Sequence, residues 1–183
     1  MKNVACGLLF VLCGCLFSKY ALAIDKIEMG ASLDSASLGC QIARDQALIA
    51  KAAYEQKAAA FSRYASLTRE FINSLSGPSE ADKIAAHGHK DSASANQTSA
   101  IAKNALAHEN YNEAESHYCQ ASMYHFDFQT TQDDWFTPGL EAECFYASSK
   151  GHYISAKNNW VAAYGLMVQA EVLMELVVGL LSI

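Results

Sequence analysis

From Ala60 onward, apolar side chains fall at Tyr64, Leu67, Phe71 and Leu75, at steps of four, three, four and four. That spacing puts them on one face of a helix. Ile42, Ile49 and Ala53 extend the same series upstream, and Asp34 and Ser35 offer an N-cap. The pattern predicts a long N-terminal helix from there to Leu75, about 40 residues or roughly 60 Å if unbroken. Ser76-Gly77-Pro78 supplies the stop, glycine before proline. Beyond it the reading is of shorter elements. A helix over 79–89 is closed by His87-Gly88-His89-Lys90-Asp91, and helices follow over 92–109 and 111–126. A loop over 128–139 holds Pro138-Gly139, a helix over 140–149 is broken at Gly151, and a last helix starts near Tyr153.

The C-terminal helix is the most apolar of these. From Val161 to Ile183 its polar side chains are Gln169, Glu171, Glu175 and Ser182, and Glu171, Glu175 and Ser182 share one narrow stripe. Such a helix must be covered. The long N-terminal helix folded back on it is the first candidate cover and a homodimer partner the second. A membrane is third, because two glutamates inside a span are costly.

Residues 1–23 read as a signal peptide: Lys2, an apolar stretch from Val4 to Phe17, then Ala21-Leu22-Ala23 as a small-x-small cleavage site. The expected organisation is a signal peptide over 1–23 and a single helical domain over 24–183, exported to a periplasm or secreted. Leu12-Cys13-Gly14-Cys15 resembles a bacterial lipobox, which would instead tether the protein to a membrane through Cys15. Half of the residues are hydrophobic and two are proline, a composition that favours a packed helical domain. Cleavage removes Lys2 and Lys19, leaving eleven basic against nineteen acidic residues, a net charge of −8. No basic patch survives, so a nucleic-acid partner is not expected, and a protein partner with a basic surface is. Cys40, Cys119 and Cys144 remain, which allows one bridge in any of three pairings in an oxidising compartment.

Two segments share a spacing: Tyr111, Ala114, Tyr118, Ala121 and Tyr153, Ala156, Trp160, Ala163. Tyrosine, small residue, aromatic, small residue at steps of three, four and three resembles the second helix of a tetratricopeptide repeat, over about 95–127 and 137–170. A generic bundle of helical hairpins accommodates the same pattern. The expected fold is therefore all-α: antiparallel helical hairpins, as a bundle or a short tetratricopeptide-like stack, with a long N-terminal helix and an apolar C-terminal one. The resemblance implies a groove lined by Asn96, Ser99, Lys103 and Leu106 from one hairpin and Glu141, Phe145 and Ser148 from the other. It also implies that Cys119 and Cys144 lie on adjoining helices and form a disulfide, closing a loop of about 25 residues worth about 3 kcal/mol.

No phosphate-binding loop, nucleophile elbow, His-Glu-x-x-His or Cys-x-x-Cys occurs. The histidines offer pairs at most, such as His87 with His89 or Glu113 with His117, where zinc needs three or four convergent ligands. No catalytic, cofactor-binding or metal-binding residues are assigned. The aromatics Tyr124, Phe126, Phe128, Trp135 and Phe136 either plug one end of the core or form a contact patch. The sequence points to an exported, non-enzymatic protein-binding module or adaptor. One alternative is an inhibitor or immunity-type protein that blocks a toxin or hydrolase through Asp133, Asp134 and Trp135. Another is a hydrolase with a dispersed site.

Overall fold

The computed structural model describes residues 26–132 and 134–182. Helix α1 spans Lys26–Phe61, and a 3-10 turn over Ser62–Tyr64 leads into the short α2, Arg69–Ser74. Helix α3 spans Glu80–Thr130 and α4 spans Phe136–Leu181. The all-α class and the helical-hairpin arrangement are as the sequence indicates. The signal peptide and Cys15 lie outside the described residues.

Three long helices run up, down and up. Helices α3 and α4 are antiparallel, with the Trp160 indole donating to Asn104 Oδ1 at 2.9 Å and Ser149 Oγ to the Ala114 carbonyl at 2.9 Å. Helices α1 and α4 run parallel: Ser32 meets Glu143, Gln46 meets Lys157, and Arg63 meets Glu171.

The packing follows a seven-residue period. On α3, Ala86, Ala93, Ala100, Ala107, Ala114 and Ala121 are all buried, followed by Phe128. The buried positions of α4 alternate in steps of three and four. One of its rows is small (Ala142, Ser149, Ala156, Ala163, Ala170) and the other large (Tyr146, Tyr153, Trp160, Met167, Met174). The small row faces the alanines of α3, so the two backbones approach closely enough for Ser149 to reach a main-chain carbonyl. On α1, Met29, Leu33, Cys40, Ala43, Ala47 and Tyr54 keep the same period, and the Cys40 thiol donates to the Tyr146 carbonyl at 3.0 Å. A period of seven, shorter than two turns of a straight helix, imposes a left-handed supercoil. The large row of α4 fills the wider gap between α1 and α3.

The structure revises several boundaries. Helix α1 begins at Lys26 and ends at Phe61, and Ile42, Ile49 and Phe71 are exposed. Beside Ile42 and Ile49 the small residues Cys40, Ala43 and Ala47 face the core and let α1 approach α4, and beside Phe71 on α2 it is Ile72 that is buried. The expected breaks at His87–Asp91, at 110 and at Gly151 do not form. A lone helical glycine costs only about 1 kcal/mol against alanine, and interrupting α3 or α4 would unseat its whole row of packed residues. Residues 95–127 therefore run as one helix within α3 and 137–170 as one within α4. Pro138 and Gly139 lie in the first turn of α4. Pro138 is the third helical residue, where an amide has no intrahelical acceptor to lose, while Gly139 donates its amide to the Trp135 carbonyl at 3.1 Å, and a Cβ on Gly139 would sit 3.1 Å from both Met29 and Phe128. The loop shrinks to residues 131–135, and the main cover of α4 is α3, with α1 second. Helix α3 starts on a reciprocal cap between Ser79 and Asp82.

Candidate interaction surface

The bundle is electrically lopsided. Residues 26–43 and 104–149 contain Lys26 as their one lysine or arginine, against ten aspartates and glutamates. The remaining described segments, 44–103 and 150–182, hold ten basic and eight acidic residues. The antiparallel register brings the acid-rich segments to one end, around the α3–α4 turn. At the other end the charges pair internally: Lys57 with Glu171, Arg63 with Glu171 and Glu175 at 2.9 and 3.2 Å, and Arg69 with Asp91 at 2.9 Å. In the acidic half the described partners of this kind are histidines, His152 with Glu113 at 3.0 Å and His125 with Asp34 at 3.7 Å. Lys26 is spent inside the fold, donating to the Thr131 carbonyl at 2.8 Å and lying over the Phe128 ring.

Within this acidic end, α3 presents an apolar strip. Cys119, Ser122, Met123, Phe126 and Asp127 line a shallow depression of about 390 Å³. Met123 and Phe126 are each 64% exposed, the largest exposure of any methionine or aromatic side chain among the described residues. Helical steps of four and three between Cys119, Met123 and Phe126 place them on one outward face.

Beside the strip, the outer α3–α4 seam is a ladder of rings. Tyr124 stacks on Phe145 with centroids 5.6 Å apart, Phe145 on His117 at 5.8 Å, and His117 on His152 at 5.3 Å. Burial, and then the neighbouring His152, holds the His117 pKa below the ordinary histidine value, against the pull of Glu113. Its Nδ1 is buried without a hydrogen-bond partner. Toward α1, the buried Tyr153 donates to Glu115 at 2.8 Å. Burial and then that carboxylate raise the pKa of Tyr153, and the same two causes push Tyr111 up to about 12.

The residues expected to form one groove are divided. Asn96, Ser99, Lys103 and Leu106 sit on α3, with Ser99, Lys103 and Leu106 exposed. Glu141, Phe145 and Ser148 lie level with residues near 116–123 of α3, so the two sets are between about 15 and 40 Å apart along the axis. Asp133 lies outside the described residues. Asp134 is exposed, while Trp135 packs edge-on against Phe128 and Phe136 at the end of the core. The aromatic cluster therefore divides: Phe128 is buried, Tyr124, Trp135 and Phe136 pack against the core, and Phe126 is outside. Cys119 and Cys144 are not bridged. They occupy the same level of an antiparallel pair, but both are exposed rather than buried together at the α3–α4 seam. The helix expected over 111–126 already puts Met123 on one face with Cys119 and Phe126; that this face is the outward one follows only from how α3 packs.

No group of three or more histidine, cysteine, aspartate or glutamate side chains gathers as metal ligands among the described residues. No family model, curated protein or solved structure matches this chain.

Proposed function

We propose that this is an exported, non-catalytic helical binding module whose acidic end docks a basic surface on another protein. The observation that carries this reading is the strip of Met123 and Phe126 set among carboxylates that make no ion pair with lysine or arginine among the described residues. Exposed apolar anchors supply desolvation energy at an interface, and a field of one sign steers an oppositely charged partner and selects against others. The strip gives such a partner something to bury, and Asp127, Asp134 and Glu141 give it a charged rim.

The test is capture from the native extracytoplasmic extract by the wild-type protein and two variants, with quantified affinity for whatever partner is retained. M123S/F126S and D127K/E141K are surface changes expected to alter stability by no more than about 0.5 kcal/mol. Each should weaken binding at least tenfold, about 1.4 kcal/mol. The affinity of the wild type should fall as salt rises. A partner held equally by all three proteins, or none at native concentration, overturns the assignment of this surface.

A second reading is an inhibitor or immunity-type protein. It is favoured by the placement of the acidic residues and Phe126 together at one end of the bundle, where a basic cleft could receive them. A captured hydrolase whose turnover falls in proportion to occupancy decides for this reading over an adaptor.

A further inference from the structure

Helix α4 has a second regular face, opposite the one that packs on α1 and α3. Gly151, Gly165 and Gly179 lie along it at intervals of fourteen residues, and a Cβ built at any of the three meets no atom within 4 Å. Glycine in a helix interior costs about 1 kcal/mol against alanine, so these positions weaken α4 with no packing inside the bundle to account for them. Around them Ile154, Val161, Val172 and Leu176 are 42–53% exposed. This face combines large apolar side chains with gaps through which a second backbone can come near.

Part of this face is symmetric about Gly165. Turned end for end about that residue, Gly151 meets Gly179 and Ile154 meets Leu176, while Val161 meets Gln169 and Val172 meets Asn158. An isologous contact uses the same patch of both copies, so each of these pairs occurs twice, once on either side of the two-fold axis. The span from Gly151 to Gly179 is about 42 Å long. Packed at an ordinary helix separation it would bury on the order of 1,200 Å² in total, the lower bound for a specific, stable interface. Charge selects the direction. An antiparallel pairing centred on Gly165 overlaps the halves with balanced charge and sends the two acidic ends to opposite poles, whereas a parallel pairing sets the acidic ends side by side.

We infer that two copies of this chain associate through the outer face of α4, antiparallel and crossing at Gly165. The interface lies away from Met123 and Phe126, so a dimer presents two acidic docking ends facing opposite ways.

The test uses the full chain produced in its own host, with Cys119 and Cys144 changed to serine and one cysteine introduced at a time. On the two-fold axis Gly165 meets its own copy, so G165C should cross-link to a covalent dimer under mild oxidation. I154C or L176C alone should not, and I154C mixed with L176C should. By sedimentation equilibrium the wild type should pass from monomer to dimer between about 1 and 200 μM, the weak-to-moderate range for an interface of this size. G165K should shift that midpoint at least tenfold upward while leaving the helical signal and melting temperature intact, since the added side chain enters open space. Self-cross-linking of L176C as efficient as that of G165C would show a parallel pairing and overturn the inference. So would a wild type that stays monomeric at 200 μM. Helix α4 is also long and apolar enough to cross a membrane. Flotation with neutral phosphatidylcholine vesicles, lost in G165K and without self-association, would assign the face to lipid and overturn the dimer.

Discussion

The two flanks of α3 solve the same packing problem in opposite ways. Toward α4 it presents alanine at every seventh residue, and the helices touch almost backbone to backbone. Toward α1 it presents long polar and aromatic side chains that span a gap: Tyr118 meets Ser37 and Gln41 at 3.3 and 3.1 Å, and His125 reaches Asp34. The gap is filled from the third side by the large row of α4, above all Trp160, which touches Asn104 and His108 on α3 and lies beneath Lys51 of α1. The close seam depends on keeping side chains small, and the open one on a few large side chains each spanning the gap. A substitution should therefore have opposite consequences on the two sides.

The largest effect is expected from removing the wedge. Trp160 is fully buried, and W160A should cost about 4 kcal/mol in urea unfolding, from the cavity and from leaving Asn104 unpaired. Adding bulk to the close seam comes next. A107L should cost about 3 kcal/mol because no space exists between the backbones, while Q97L on the open flank should change stability by less than about 0.5 kcal/mol. Equal costs for the two leucines would erase the distinction drawn here. Y153F removes a hydrogen bond to a carboxylate and should cost about 1.5 kcal/mol.

Two smaller effects follow from titration. The folded-state pKa values of Tyr111 and Tyr153 lie above the unfolded value near 10, so the unfolded chain loses these protons first. Stability should be intact below pH 10 and fall as pH rises toward about 12, and Y153F should flatten that decline in unfolding curves across the range. For His117 the folded-state pKa is depressed, so the unfolded chain gains its proton first as pH falls through about 6.5. Stability should decline from there downward, and less steeply in H117N. Thiol labelling gives a final contrast. Exposed Cys119 should react in the native protein, whereas Cys40, buried against the Tyr146 carbonyl with its pKa raised by burial, should react only on unfolding.

The apolar tail from Val161 onward signalled a covered helix, and the paired Tyr-Ala spacing of 111–121 and 153–163 marked residues that do face the packing seams. Ile42 and Ile49 show that size is a poor guide to burial here, since in α1 it is Cys40, Ala43 and Ala47 that face inward. Alanine contributes little hydrophobic signal, so a seam built from it is nearly silent to a search for large apolar residues. Its trace is the unbroken run of alanine at every seventh position from Ala86 to Ala121. The candidate surface was half legible: the aromatic cluster and the acidic loop stood out, but the division between buried Phe128 and exposed Phe126 follows only from their two-residue offset on a continuous helix.

By itself the sequence determined an all-helical protein, acidic overall, with a C-terminal helix too apolar to stand alone, because composition and helical spacing act locally. The tertiary structure decided which faces meet and which charges gather. The register of α3 on α4 is set by where small residues let two backbones approach, and the packing of the three long helices collects carboxylates from two distant stretches of chain, 26–43 and 104–149, at one end of the bundle.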